Sequence, residues 1–250
     1  MSVTVILNGF KRKDQLSEQL EAVRNQSVDV DNIMLWYNHP DDDEMINYDV
    51  MAEIPTAMSN VNLGVWARFA YAFNAPTKYV CVFDDDTIPG RKWIENCLNT
   101  MKTHRGLLGT VGLLYTLPMK ANEKSSYYEH YIRFGWNHNN TRVQQVDLVG
   151  HSWFFERAWL SHMWRELPDP KYSTCGEDMH FSYMLQKYAN INTYVPSHPA
   201  SDREMWGSLK GSEYGGIHSL WTEGPPNQRS LVDDFFREQR NKGWKLVKDV

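Results

Sequence analysis

The chain of 250 residues is 42% hydrophobic and 23% charged, and it carries a formal net charge of −5. This composition is that of a globular protein and excludes a disordered chain, and the length suffices for one large domain or a domain with an extension. The negative net charge argues against a protein that binds a nucleic-acid backbone, because such proteins present a basic surface.

Apolar residues in the first half of the sequence predict an alternating order of strands and helices. The predicted strands cover residues 3–7, 32–38, 78–83 and 107–115, and the predicted helices cover residues 13–26, 65–74 and 88–101. This alternation is typical of a parallel α/β sheet with right-handed crossovers. We therefore predict an α/β fold with a mostly parallel central sheet flanked by helices.

The second half of the sequence is less regular. Residues 143–160 predict a strand, a tight turn at Gly150 and then a second strand or a helix that runs back along the first. Residues 176–189 predict an amphipathic helix. A short last strand is predicted at residues 191–199. The extension at residues 200–250 contains a Gly-rich polar stretch, which permits either a mobile lid or a static loop, and then one more helix.

Cysteine usage and apolar runs bear on the cellular compartment. Cys81, Cys97 and Cys175 are odd in number and not paired by spacing, which favours free thiols in a reducing compartment. The N-terminal apolar stretch is too short for a signal peptide, and no later run is long enough to cross a bilayer. We expect a cytoplasmic protein without a transmembrane segment, and the oligomeric state stays open.

The sequence YVCVFDDDTIPG at residues 79–90 leads an apolar strand directly into Asp84, Asp85 and Asp86. Adjacent carboxylates repel one another, so the triplet is either a solvated turn or the binding site of a cation. The predicted strand places it at the carboxyl edge of the sheet, where ligands of open α/β sheets bind. In an extended turn Asp84 and Asp86 project to the same side, so this pair can share a hard divalent cation while Asp85 points away.

A second acidic cluster, in the sequence CGEDMHFS, opens the predicted helix at residues 176–189. Glu177 and Asp178 suit a helix N-terminus, where the macrodipole favours negative charge, and they equally suit a general base that the helix holds rigid. His180 in the same turn is more typical of a packing or surface histidine. His198 follows the last predicted strand, where a histidine beside prolines is usually structural.

Five sequence blocks occur in the order found in glycosyltransferases of the GT-A type. The blocks are VTVILNGFKRKDQL, NLGVWARFAYAF, YVCVFDDDTIPG, GHSWFFERAWL and GEDMHFSYMLQKY, and with His198 after them the resemblance covers residues 3–198. They resemble family 2 of these enzymes, and the two acidic clusters also resemble the exostosin-like branch. The resemblance implies a GT-A domain at residues 1–199, with a nucleotide-sugar-binding half at 1–116, an acceptor half at 117–199 and an extension at 200–250.

The resemblance also implies an activity and assigns residues to it. A sugar would move from a nucleotide-sugar donor to a hydroxyl group of a glycan, lipid-linked or protein acceptor. Asp84 and Asp86 would hold Mn²⁺ or Mg²⁺, with His198 completing the metal site. Asp178 would act as general base with Glu177 beside it, and a single displacement would invert the anomeric centre. Members of the exostosin-like branch retain configuration, which keeps a retaining outcome open.

The other residues that the resemblance assigns would contact the nucleotide-sugar. They are Asn8, Phe10, Asn38, Arg68, Asp84, Asp85 and Trp153. Trp153 and Trp206 are candidates for stacking on a sugar face. The first strand ends in LNGFKR and the second in YNHP, where family members often have a Thr-Tyr-Asn-Arg turn and paired acids, so the nucleobase is not implied.

Two other classes of protein fit part of this pattern. A sugar-nucleotide nucleotidyltransferase shares the sheet and a metal-binding carboxylate, but it needs a Gly-rich basic loop after the first strand, for which NGFKRKD is a poor match. A non-catalytic carbohydrate-binding protein would use the surplus of 10 Trp and 13 Tyr. Many such proteins are all-β, so the predicted helices argue against this alternative.

Overall fold

The computed structural model describes residues 2–116, 126–216 and 219–249, and within these ranges the chain forms nine strands and nine α-helices. The strands are β1 Val3–Gly9, β2 Asn32–Tyr37, β3 Thr56–Met58, β4 Tyr79–Phe83, β5 Leu107–Tyr115, β6 Tyr131–Gly135, β7 Gln144–Val146, β8 Leu148–Glu156 and β9 Thr193–Val195. The helices are α1 Lys13–Arg24, α2 Tyr48–Glu53, α3 Ala67–Tyr71, α4 Trp93–Thr103, α5 Leu160–Met163, α6 Glu177–Ala189, α7 Gly211–Tyr214, α8 Leu220–Glu223 and α9 Gln228–Asn241.

The strands form one mixed sheet in the order β3-β2-β1-β4-β8-β5-β9-β7, and β6 pairs with β5. β1 pairs in parallel with both β2 and β4, and β5 pairs in parallel with β9. β8 runs antiparallel between β4 and β5. The predicted α/β fold with a central sheet flanked by helices is therefore confirmed. Within the described ranges four strand pairings are parallel and four are antiparallel, so the sheet is mixed and not mostly parallel, and β8 separates two strands that the chain order alone would place side by side.

The core is built on β1 and β4, which are buried over their whole length. Their continuous apolar sequences are those of strands covered by helices on both faces. α1 packs onto the sheet through Leu16, Leu20 and Val23, which share one face of the helix. The predicted strands and helices of the first half are thus present, and α2 and β3 are two further elements that the apolar pattern did not predict.

One prediction for the second half is wrong. Gly150 is not a turn between two elements but lies inside β8, and the break in the chain falls instead at Asp147. The buried Asp147 carboxylate accepts hydrogen bonds from the backbone N–H of Tyr115 at 2.8 Å and of Val247 at 2.6 Å. The side chain therefore satisfies backbone donors at the point where the strand is interrupted.

The C-terminal segment packs into the same core as the sheet. Phe235 and Phe236 on α9 are fully buried, and the Phe236 ring lies 4.9 Å from Tyr115 on β5 and 5.8 Å from Trp244. The domain boundary at residue 199 stays a prediction, but the side chains of α9 contribute directly to the packing of the preceding residues.

The three cysteines are buried and form no disulfide. Across the described ranges, no helix combines the length and the hydrophobicity that a bilayer-spanning helix requires.

Replacing Phe236 with alanine tests how far the C-terminal segment belongs to the core. Phe236→Ala removes a fully buried ring, so we expect the free energy of unfolding to fall by about 3–5 kcal/mol in urea denaturation followed by circular dichroism. Phe73→Ala is the matched control, because that ring is 45% exposed and its loss should change stability by no more than about 0.5 kcal/mol. A near-neutral Phe236→Ala would show instead that residues 200–250 pack independently.

Candidate active site

A cavity of about 370 Å³ lies at the carboxyl ends of the parallel strands β1, β2 and β4. Parallel strands end at the same edge of a sheet, so residues that follow them meet there. The cavity brings together eight residues predicted from the sequence, namely Asn8, Phe10, Asn38, Arg68, Asp84, Asp85, Asp86 and Glu177. Its lining also includes Lys11, Arg12 and five residues of the C-terminal segment between 219 and 225.

Arg12, which no motif in the sequence indicates, binds the acidic triplet from the turn between β1 and α1. Its guanidinium forms an ion pair with the Asp85 carboxylate and lies 3.8 Å from that of Asp86. All three side chains are buried. Burial raises the pKa of Asp85, and the charge of Arg12 opposes that rise. An extended turn would point Asp85 away from the site. In the structure Asp85 instead lines the cavity and forms a buried ion pair with Arg12.

Arg68 on α3 links the acidic triplet to the second acidic cluster. Its Nη1 lies 2.7 Å from Asp84 Oδ1, and its Nη2 lies 2.8 Å from Glu177 Oε1. The guanidinium also packs 4.8 Å from the ring centroid of Trp153. Trp153 is 1% exposed and meets Phe69 edge-on. The prediction that Trp153 contacts the sugar is therefore wrong, because this ring is a buried support for Arg68.

Three side chains form a candidate metal site at the cavity. Asp84, Asp86 and His151 each offer one ligand atom, and these atoms lie within 4.8 Å of one another. Burial raises the pKa of Asp86, but the neighbouring His151 and Arg12 outweigh it and hold that pKa at about 2. Asp86 is thus an ionised ligand near neutral pH. Two carboxylates with one imidazole fit Mn²⁺ better than Mg²⁺, which prefers oxygen ligands and water.

A β-bulge in β8 brings His151 to the acidic turn. β8 has one residue more than the facing part of β5 at this point, and His151 adopts a φ of +62°. Such a backbone conformation is uncommon for a residue with a side chain, and bulges often re-aim a side chain beside an active site. The His151 carbonyl accepts hydrogen bonds from the N–H of Asp84 at 3.0 Å and the hydroxyl of Thr87 at 2.9 Å. The signal in the sequence was Gly150, because an isolated glycine inside a strand pattern suggests a bulge.

Neither His198 nor Trp206 lines this cavity. His198 is fully buried, its Nδ1 donates to the Pro196 carbonyl at 2.8 Å, and its Nε2 accepts from the Gly207 N–H at 3.1 Å. Both nitrogens are thus engaged, so the prediction that His198 completes the metal site is wrong. Trp206 is 9% exposed and donates its indole N–H to the Pro199 carbonyl at 2.8 Å, which makes it a packing residue.

The two asparagines at the strand ends have different surroundings. Asn38 donates to the Gly64 carbonyl at 3.0 Å and accepts from the Leu63 N–H at 3.2 Å, so it holds a loop that lines the cavity. The side-chain oxygen of Asn8 is buried and has no hydrogen-bond partner within the described ranges. Buried polar atoms are rarely left without a partner, so Asn8 is a candidate for binding a ligand.

Asp178 lies in a second cavity of about 180 Å³, which adjoins the first at Glu177 and Leu220. Its carboxylate accepts the backbone N–H of Met179 at 2.7 Å, and no basic side chain in the described part of the chain pairs with it. Burial raises the pKa of Asp178 to about 6. A carboxylate with a pKa this close to neutral is suited to accept a proton during a reaction. Glu177, by contrast, is engaged with Arg68.

No protein-family model and no curated protein matches the chain. Solved structures do match: S. aureus TarS aligns with a TM-score of 0.53 at 14% identity, over 80% of this chain and 36% of TarS. TarS residues 1–349 in complex with UDP and with UDP-GlcNAc each align with a TM-score of 0.53 at 13% identity over 80% of this chain. This chain covers 59% and 57% of those two structures, so it spans well under two thirds of the proteins it matches. TarS is a glycosyltransferase of the GT-A type, and this chain has the GT-A glycosyltransferase fold, as its sequence predicts.

Proposed function

We propose that the protein is a metal-dependent glycosyltransferase that moves a sugar from a UDP-sugar to a hydroxyl group of an acceptor. The observation that carries this proposal is the meeting of two cavities at Glu177. One is lined by Asp84 and Asp86, which form a candidate metal cluster with His151, and the other is lined by Asp178. The GT-A fold supports it, as does TarS, which has been solved with UDP and with UDP-GlcNAc.

The larger cavity is the proposed donor site. The unpartnered oxygen of Asn8 can accept a hydrogen bond from the ring N–H of uracil, and Phe10 and the loop held by Asn38 complete the lining of this region. The diphosphate would lie towards Asp84, Asp86 and His151. A divalent cation held by these three residues would supply the positive charge that stabilises the departing diphosphate.

The smaller cavity is the proposed acceptor site. The Asp178 carboxylate takes the proton of an acceptor hydroxyl as its oxygen forms a bond to the anomeric carbon of the sugar. The bond between that carbon and the diphosphate oxygen breaks, and its electron pair leaves with UDP. The neighbouring acids Asp84, Asp85, Asp86 and Glu177 are each paired with an arginine or a histidine. Asp178 is left as the base, which favours a single displacement with inversion.

Nucleotide binding gives the first test. In isothermal titration with Mn²⁺ present, we expect UDP to bind more tightly than GDP, dTDP or CMP. Asn8→Ala should weaken UDP binding by roughly tenfold, because a hydrogen-bond partner of the base is lost. Asn74→Ala is the control, since Asn74 is exposed. Equal affinity for all four nucleotides would overturn the UDP assignment, and no nucleotide binding at all would overturn the proposed function.

The metal assignment is tested by Mn²⁺ titration followed by the electron paramagnetic resonance signal of the free ion, with and without UDP. His151→Ala and Asp86→Ala should each weaken Mn²⁺ binding by at least about tenfold, because each removes one ligand. His138→Ala, which changes an exposed histidine, should leave the titration unchanged. Wild-type affinity in His151→Ala would contradict the proposed metal site.

The pH profile of UDP release from the UDP-sugar tests the base. The pKa of Asp178 is raised to about 6 by burial, so the carboxylate is ionised above this pH and becomes protonated as the pH falls through it. We expect kcat/KM to fall on the acid side with a midpoint near pH 6, and Asp178→Asn to lower kcat by about 10²–10⁴-fold. Glu177→Gln should still show this fall in kcat/KM at acid pH, whatever its absolute kcat. If the fall in kcat/KM at acid pH disappeared in Glu177→Gln but not in Asp178→Asn, Glu177 and not Asp178 would be the general base.

A further inference from the structure

Three basic side chains line the described part of the larger cavity, namely those of Lys11, Arg12 and Arg68. Arg12 and Arg68 form ion pairs with carboxylates of the acidic triplet, and both arginines are buried. Breaking a buried ion pair leaves a charge without compensation, which is strongly unfavourable. These two arginines are therefore fixed parts of the acidic turn, and neither is available to move towards a ligand.

Lys11 is held in a different way. Its Nζ lies 3.2 Å from Oε2 of Glu223 on α8, and the two side chains are 27% and 41% exposed. An ion pair this accessible to water contributes little to stability, because the solvent weakens the attraction and both long side chains lose freedom. Lys11 can therefore exchange this partner for another anion at little cost.

The ion pair between Lys11 and Glu223 joins two walls of the larger cavity. Lys11 belongs to the turn between β1 and α1, Glu223 belongs to the C-terminal segment, and both residues line the cavity. Lys11 directly precedes Arg12, whose guanidinium lies 3.8 Å from the Asp86 carboxylate, and consecutive Cα atoms are only about 3.8 Å apart. The turn that contacts the candidate metal cluster thus also carries the Lys11 side chain.

The charge of the larger cavity is unfavourable for a diphosphate. Its described lining carries three basic side chains against six carboxylates, which are those of Asp41, Asp84, Asp85, Asp86, Glu177 and Glu223. A divalent cation would offset only part of this excess, so a diphosphate gains from any further cation that turns towards it. A lysine ammonium group binds phosphate as a point charge on a flexible stem. Of the three basic residues that line the cavity, Lys11 is the one whose acidic partner is exposed.

We propose that Lys11 binds a phosphate of the donor's diphosphate, and that Glu223 is the counter-ion which Lys11 gives up when the donor binds. This proposal rests on the proposed function, because it takes the larger cavity as the donor site. It adds a diphosphate-binding residue outside the metal cluster, and it makes the Glu223 carboxylate a competitor of the donor for Lys11.

A comparison of UDP with uridine tests whether Lys11 contacts a phosphate. With Mn²⁺ present, Lys11→Met should weaken UDP binding by roughly ten- to hundredfold in isothermal titration, as for the loss of a hydrogen bond to a charged group. Uridine has no phosphate, so its affinity in a ligand-observed NMR titration should stay unchanged. Lys13→Met is the matched control, because Lys13 is an exposed neighbouring lysine that does not line the larger cavity.

Glu223→Gln tests the exchange of partners. Removing the competing carboxylate should tighten UDP binding by about two- to fivefold, which is the factor that corresponds to an exposed ion pair, and should leave uridine binding unchanged. Glu213→Gln is the matched control, because Glu213 on α7 is an exposed glutamate that does not line the larger cavity. This control should leave the affinity for UDP unchanged.

Three results would overturn the proposal. Wild-type UDP affinity in Lys11→Met would show that this side chain contacts no phosphate. Equal weakening of UDP and uridine would assign Lys11 to the nucleoside instead. Unchanged or weaker UDP binding in Glu223→Gln would contradict the exchange. If neither UDP nor uridine binds the wild-type protein, the proposed function fails, and inorganic diphosphate titrated with Mn²⁺ onto the wild-type protein and Lys11→Met still decides whether Lys11 binds a phosphate.

Discussion

Two arginines from other parts of the chain pair with three adjacent carboxylates at the end of a buried strand. Asp85 and Asp86 are buried with Arg12, and Asp84 shares Arg68 with Glu177. Burying a charge without a partner costs several kcal/mol, and removing one member of a buried pair typically costs about 3–5 kcal/mol. Arg12 and Arg68 therefore supply two positive charges against the four carboxylates of Asp84, Asp85, Asp86 and Glu177, and the negative charge that remains suits a bound cation.

The backbone of the same turn is held from two elements. Gln19 on α1 donates its side-chain N–H groups to the carbonyls of Asp84 at 2.7 Å and Thr87 at 2.6 Å, and the bulged His151 of β8 accepts hydrogen bonds from the turn. The ligand atoms are thereby positioned before any cation arrives. A site whose groups are already oriented loses little conformational freedom on binding, which favours both affinity and rate.

The start of α6 separates the two cavities and depends on the C-terminal segment. Gly176 precedes the helix with a φ of +91°, and a Cβ at this position would lie 2.6 Å from the Phe235 ring of α9. α9 thus packs against the backbone that presents Glu177 and Asp178. Leu220 lines both cavities, so residues after 199 contribute both to the packing behind α6 and to the walls of the candidate site.

The sequence by itself determined the α/β class, the acidic triplet at the carboxyl edge and the acidic start of α6, because each is a local pattern of apolar spacing and strand ends. Only the tertiary structure decided which residues share the site. Arg12 meets Asp85 across 73 residues, and His151 rather than His198 reaches Asp86 because β8 inserts between β4 and β5 and bulges there. Such contacts depend on strand order and on a one-residue change of register, and neither of these is encoded within a short stretch of chain.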